Sequence, residues 1–247
     1  MKWQVEIADD YNDPELVKKI AQKWAADRKI LAVIGHNASI ASIAAAPIYQ
    51  KSKLVMVTPT SSSNELSRFG DYIFRSTLNV RSMAIPLANY AVQTARKSKI
   101  AACVDALAND SFKEEFITSL SAVGGQYIEI SCDLSAPTFN AETALAEAAS
   151  KGAEGVMLIP HIDRLDRAIS FAHANRGKEI ALYGSSTMYT MQTLENGQND
   201  ANGLVLPAPW HPQAYPSNSF AENARRFWGG TVNWRTANSY DATQAII

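Results

Sequence analysis

Cysteine and histidine are scarce in this sequence, at two and four among 247 residues. The pair Cys103 and Cys132 is too small for a disulfide framework or a zinc knuckle. Both lie in apolar, strand-like segments, where a thiol behaves as a small hydrophobe. A bridge between them would require their strands to be neighbours in register, so two buried free thiols are expected. His36, His161, His173 and His211 are scattered without ligand spacing, so neither a metal nor a cofactor is expected. An excess of charge is also missing. Lys+Arg 23 against Asp+Glu 24 leaves a net charge of -1, with no basic tract to follow a phosphate backbone, so nucleic acid is not an expected partner. Long apolar runs are absent too: Ile30–Ile34 and Ile40–Ile48 fall far short of the ~20 residues that cross a bilayer. No charged-then-apolar leader or signal peptide opens the chain, which implies a cytoplasmic protein or one whose export segment has been removed.

Catalytic signatures are equally thin. No G-x-G-x-x-G follows a strand, no Walker A lysine loop occurs, and no G-x-S-x-G elbow is present, although Gly184-Ser185-Ser186 sits where one would be sought. His161 beside Asp163 is compatible with a metal or an acid–base pair, or with a loop histidine that only hydrogen-bonds.

What the sequence does contain is a regular alternation of short apolar runs with longer amphipathic ones. Trp3–Ala8 alternates like a strand. Asn12-Asp13-Pro14-Glu15 then supplies a capping oxygen, a proline for the first turn and an early acid. Leu16, Val17, Ile20 and Trp24 follow at helical spacing. Ile30–Ile34 and Leu54–Thr58 read as strands buried on both faces, with a helix over Ser39–Gln50 between them and a short strand at Tyr72–Arg75. Further strands are expected at Ile100–Val104, Tyr127–Cys132, Val156–Ile159, Ile180–Tyr183 and Leu204–Leu206. Helices are expected at Val80–Arg96, Ser111–Val123, Ala141–Lys151, Asp163–Asn175 and Met188–Asn196, then over Ser217–Trp228 and Ala237–Ile247 beyond the proline-rich break Leu206–Pro212. Strand, helix, strand in this repetition predicts right-handed crossovers and parallel sheets covered on both faces.

A parallel sheet places its working residues on the loops beyond the carboxyl ends of its strands. Those loops are rich in Ser, Thr and Asn and poor in nucleophile–base pairs. Ser39 opens a helix whose N-terminal N–H groups and positive dipole end favour an anion, and Ser61–Ser63 lie one strand over. Together they could cup a carboxylate. The same residues are equally explained as an N-cap and a polar loop.

Ala32-Val-Ile-Gly-His-Asn-Ala-Ser39, Ala45-Ala-Pro-Ile-Tyr49 and Val57-Thr-Pro-Thr-Ser-Ser-Ser-Asn-Glu-Leu66 resemble the type I periplasmic binding proteins, the leucine/isoleucine/valine-binding branch and related receptor ligand-binding regions above all. Tyr72-Ile-Phe-Arg-Ser76 is similar to that family's strand entering the first hinge. Gly203-Leu-Val205 and Asn238-Ser-Tyr-Asp-Ala-Thr-Gln244 match as well. The likeness covers essentially the whole chain and is looser from Asp105 to His211.

The resemblance implies an α/β fold of two doubly wound, Rossmann-like lobes with parallel sheets, joined by a hinge that closes on a ligand. It assigns residues 1–76 plus 209–247 to one lobe and 77–208 to the other. It implies that Ser39, Thr60, Ser61 and Ser62 hold a ligand's carboxylate and amino group, with Asn109, His161 and Ser186 supplied by the opposite lobe. Where this chain has Asn109 and Ser186, the family often has an aromatic residue and an acid, which makes a free α-amino acid a less secure ligand. The family's first strand and helix, and its usual last strands, have no counterpart here, so a chain truncated at both ends is expected. An unpaired sheet edge left by such a truncation would favour a dimer. The function implied is non-enzymatic binding of a small, polar, amino-acid-like solute in a periplasmic or other extracytoplasmic setting. The chain would serve a membrane transporter or, as an alternative, a signalling partner as the sensory domain of a longer protein. An enzyme on an α/β scaffold is the remaining class.

Overall fold

The computed structural model describes residues 3–106, 108, 111–214, 219–230 and 232–247. The chain divides into two compact units, Met1–Asn79 with Trp210–Ile247, and Val80–Pro209.

The first unit is built on a parallel sheet in the order β1 (Ala32–Ile34), β2 (Val55–Thr58), β3 (Ile73–Arg75). Helix α1 (Pro14–Ala26) starts where the sequence predicts, because Asp13 accepts from the Glu15 and Leu16 N–H groups and Pro14 needs no N–H partner. Helix α2 (Ser39–Ser52) ends on Lys53 in the left-handed conformation. The pairing aligns Val33, Met56 and Ile73 across the sheet. These three side chains pack in one cluster with Val17 and Ala21 of α1 and Ala41, Ala45 and Tyr49 of α2. The neighbouring row is Ile34, Val57 and Phe74; in it Val57 is buried, while Ile34 and Phe74 remain 46% and 50% exposed.

Two expectations are corrected here. Ile30–Ile34 is not a strand buried on both faces: β1 is an edge strand, with Leu31 and Ile34 exposed. Trp3–Ala8 is not a strand either. Trp3, Val5 and Ile7 are exposed, and the segment is tied down through Glu6, which accepts from Lys23 Nζ at 2.6 Å and Trp24 Nε1 at 3.0 Å. Alternation prepares a segment to pair, but a strand exists only beside a neighbour, and none pairs with it among the described residues.

The second unit carries β4 (Lys99–Val104), β5 (Gln126–Ile128), β6 (Gly155–Ile159) and β7 (Ala181–Gly184), all parallel, in the order β5-β4-β6-β7. Successive side chains on a strand face opposite ways, and the two cores divide accordingly. Ile100, Ala102, Met157, Ile159 and Tyr183 pack with α3 (Val80–Asn89) and α4 (Ser111–Ala122). Ala101, Cys103, Val156, Leu158 and Leu182 pack with α5 (Ala141–Ser150) and α6 (Leu165–Ala174). Helix α7 (Met191–Gly197) completes this unit, while α8 (Phe220–Trp228) and α9 (Trp234–Gln244) belong to the first, where α9 lies on β1 and β2. The Leu204–Leu206 strand is reduced to a single bridge between Val205 and Tyr183. Of the predicted Ser217–Trp228 helix, its first two residues lie outside the described residues. A Cβ on Gly184 would stand 2.6 Å from Leu206 Cδ2 and Met188 Sδ, so glycine is what lets β7 end under these side chains.

The cysteines also depart from expectation. Cys103 and Cys132 form a disulfide, and no free cysteine remains. Ile100 pairs with Tyr127 in regular register, yet Val104 bridges to Asp133, so four steps along β4 answer to six along the chain from Tyr127. The slip looks across from Cys103 to Cys132 where regular pairing would offer Ile130.

Glu154 gives this unit a measurable acid response. Its carboxylate accepts from the N–H groups of Ser98 at 2.7 Å and Lys99 at 2.9 Å, fastening the start of β4 to the entrance of β6. These backbone bonds, led by that of Lys99, hold its carboxyl below the ordinary value. A lowered folded-state value contributes stability above the unfolded value and loses it as the pH falls. The unfolding midpoint of the protein is therefore expected to drop between about pH 5 and pH 3. Glu154→Gln should show a smaller drop over that interval in parallel denaturant titrations. Equal drops would remove Glu154 from the account.

Candidate functional site

In the first unit the loops after β1 and β2 are stitched together around one carbonyl. The His36 C=O accepts hydroxyl protons from Thr58 at 2.8 Å, Ser61 at 3.2 Å and Ser42 at 3.3 Å. The His36 ring is anchored in turn: Nδ1 lies 2.5 Å from Asp10 Oδ2, and Nε2 is 3.4 Å from the Tyr49 hydroxyl. Burial, with the charge of Asp10 adding to it, pushes the Tyr49 phenol above its ordinary value, so it stays protonated and can donate. These buried polar groups satisfy one another, which is the condition for a rigid polar interior. Sequence reasoning missed Asp10, Ser42 and Thr58; the available signal was a hydroxyl in each of two otherwise apolar runs.

Against this frame the four predicted residues divide into two kinds. Ser61 is fully buried, its hydroxyl 2.8 Å from that of Ser42 and its N–H donating to Thr58 Oγ1 at 3.1 Å. Thr60 donates its hydroxyl proton to the Asn37 carbonyl at 2.6 Å. Both join loop to loop. Ser39 and Ser62 are placed differently. Ser39 is the first residue of α2, whose N-cap Ala38 makes no side-chain cap, leaving the first-turn N–H groups without that partner. Ser39 Oγ accepts from the Ser63 N–H at 3.2 Å and keeps its own proton. Among the described residues, neither the N–H nor the hydroxyl of half-buried Ser62 has a protein partner. Behind the loop stands Arg75, at the end of β3. Its Nη1 donates to the carbonyls of Ser63 at 2.7 Å and Ser61 at 3.4 Å, and its Nη2 to Ser67 Oγ at 2.8 Å.

In the second unit the chain moves from β4 out to β5 and back across to β6, which makes the carboxyl ends of β4 and β6 the switch point where such sheets take ligands. Asp105, fully buried after β4, accepts from Arg164 Nη1 at 3.1 Å on each carboxylate oxygen. His161, in the loop after β6, accepts from the Asp163 N–H through Nδ1 at 3.4 Å and so caps the turn that carries Arg164. Ser186 follows β7 in a short turn and is buried, as is Ser185, whose hydroxyl has no hydrogen-bond partner among the described residues. Asn109 lies outside the described residues. Among the described residues no cluster of His, Cys, Asp or Glu could hold a metal ion, and no helix is long and apolar enough to cross a membrane.

Two parallel sheets, each with polar side chains gathered beyond the carboxyl ends of its strands, define a protein of the doubly wound α/β class. The chain belongs to the periplasmic binding protein family, whose model matches residues 1–247. Its structural neighbours are solute-binding proteins of transporters, not enzymes. A leucine-binding protein from Thermotoga maritima is 21% identical, with a TM-score of 0.83, over 96% of this chain and 68% of its own. An ABC transporter substrate-binding protein from Desulfitobacterium hafniense, in complex with Leu, is 25% identical with a TM-score of 0.78, over 95% of this chain and 68% of its own. A solute-binding protein of an ABC transporter from Rhodopseudomonas palustris, in complex with 3,4-dihydroxybenzoic acid, is 18% identical with a TM-score of 0.80, over 98% of this chain and 68% of its own. No curated protein matches the chain by sequence. The family places the protein outside the cytoplasm, in agreement with a disulfide, which persists in oxidising compartments.

Proposed function

We propose that this chain binds a small solute through a carboxylate group, as the substrate-binding component of a membrane transporter. Its two compact units serve as the two lobes. The observation that carries the reading is the juxtaposition of the uncapped start of α2 at Ser39 with the N–H and hydroxyl of Ser62, which have no partner among the described residues. Both residues offer donors, and the buried hydroxyls of Thr58 and Ser61 hold the loop that presents them. Thr60 and Ser61 are assigned to shaping this half-site, Ser39 and Ser62 to contacting the ligand. In the second unit, His161 and Ser186, beyond the carboxyl ends of β6 and β7, are the residues assigned to ligand binding.

Ser186 is a hydroxyl where a carboxylate would pair with an ammonium. The ligand is therefore amino-acid-like in having a carboxylate on a compact body, and a neutral polar end suits Ser186 better than a charged amine. The ligands bound in related structures, leucine and aromatic acids, share only the carboxylate, which supports making that group the common element.

Isothermal titration with leucine, benzoate and 3,4-dihydroxybenzoate tests the assignment. At least one should bind, and the aromatic acids more tightly than leucine. Ser39→Ala and Ser62→Ala should each weaken binding by roughly tenfold to hundredfold, the worth of one charge-assisted hydrogen bond. Binding by both variants as tight as the parent's would overturn the clamp.

A further inference from the structure

We infer that Arg75 is the charge-bearing positioning residue of the carboxylate half-site, acting through the Ser61–Ser62 peptide without touching the ligand. This rests on the carboxylate reading above and deepens it. Arg75 is partly buried at the end of β3 and, among the described residues, donates only to neutral acceptors, the Ser61 and Ser63 carbonyls and the Ser67 hydroxyl. Burial alone disfavours its charged form, with no carboxylate among the contributing groups, and no ion pair involving it occurs among the described residues. A half-buried guanidinium without an anion leaves its positive field in the surrounding loop uncancelled.

The direction of that field follows from the backbone. The Ser61 carbonyl, 3.4 Å from Arg75 Nη1, and the Ser62 N–H belong to one peptide group. A cation on the oxygen of a peptide makes its N–H a stronger donor on the opposite side. That N–H is left without a protein partner among the described residues. The Ser63 carbonyl, 2.7 Å from the same nitrogen, fixes the next stretch of loop, and the Ser63 N–H reaches Ser39 Oγ at 3.2 Å. Arg75 thus holds the loop in the conformation that faces Ser39 and biases its free donor toward an anion.

The test uses acetate and acetamide, which have nearly the same shape and differ in charge, followed by the amide resonance of Ser62 in the full chain by NMR. Acetate should shift this resonance saturably in the parent, and acetamide should do so far more weakly. Arg75→Gln keeps a donor but loses the charge. It is expected to weaken the acetate response by about tenfold, the equivalent of about 1.4 kcal/mol, and to leave the acetamide response nearly unchanged. Arg75→Lys should restore most of the preference. A loop that merely loses its shape would lower both responses together, and that result overturns the inference. So does an acetate response in Arg75→Gln equal to the parent's, or none in the parent. Acetate binding at Ser62 in a protein that binds neither leucine nor benzoate would retire the solute assignment and leave this inference standing.

Discussion

Replacing Cys103 and Cys132 together by alanine is expected to lower the unfolding free energy by roughly 3.5 kcal/mol, the chain-entropy cost of releasing a loop of this length. The disulfide spans a sequence separation of 29 residues, and the loop it closes includes all of α4 and β5. Its anchor is firm at one end, since Cys103 is fully buried between Ala101 and the α5–α6 side of the core. At the other end the chain has left the regular ladder: β5 stops at Ile128, and pairing resumes only at the Asp133 bridge. The crosslink fixes a stretch that few backbone bonds would otherwise hold. Denaturant unfolding of the parent with and without reductant, beside the double variant, provides the measurement. Reduced parent and variant should unfold at similar midpoints, well below the oxidised parent. A variant as resistant as the oxidised parent would show that the bridge does not stabilise the fold.

This bridge also marks where sequence reading stopped. Strands and helices of the second unit were legible because apolar runs and helical spacing report burial directly, and burial on both faces of β4 and β6 is what the sequence predicted. Pairing is different in kind. Ile30–Ile34 and Leu54–Thr58 have the same apolar character, yet β2 is central and β1 is an edge, because a run of side chains does not state which backbone lies alongside. Trp3–Ala8 failed for the same reason, and the two-residue slip that brings Cys132 beside Cys103 is invisible to any periodicity.

The site divides along the same line. Ser39 was legible because a serine after a strand and before a helix exposes a helix start. Ser61 and Ser62 are indistinguishable as letters, and only tertiary contacts turn one inward to His36 and leave the other without a partner among the described residues. By local pattern Arg75 is no more than the end of a strand. Its importance comes from carbonyls 12 and 14 positions earlier in the chain, which no local pattern announces.

Arg164→Ala should cost about 3 kcal/mol of stability, at the lower end of what breaking a buried ion pair entails. Asp105 is fully buried at the carboxyl end of β4, and both its oxygens face the same guanidinium nitrogen at 3.1 Å. Truncating the arginine leaves that carboxylate without its counter-charge. Asp105 keeps further interactions of its own, which places the expectation at the lower end of the range. The pair also spans neighbouring strands, since Arg164 sits in the turn after β6, and His161 caps that turn. Losing it should loosen the loop after β6 as well as the fold. Asp105→Asn with Arg164→Met removes both charges and keeps comparable volume, so this double variant should recover more than half of the loss. Chemical denaturation of the parent, Asp105→Asn, Arg164→Met and the double variant completes the thermodynamic cycle. Additive losses would mean that the two residues do not act as a pair. A strong positive coupling, with His161 amide exchange slowed again in the double variant, would show that the ion pair holds both the sheet edge and the loop above it.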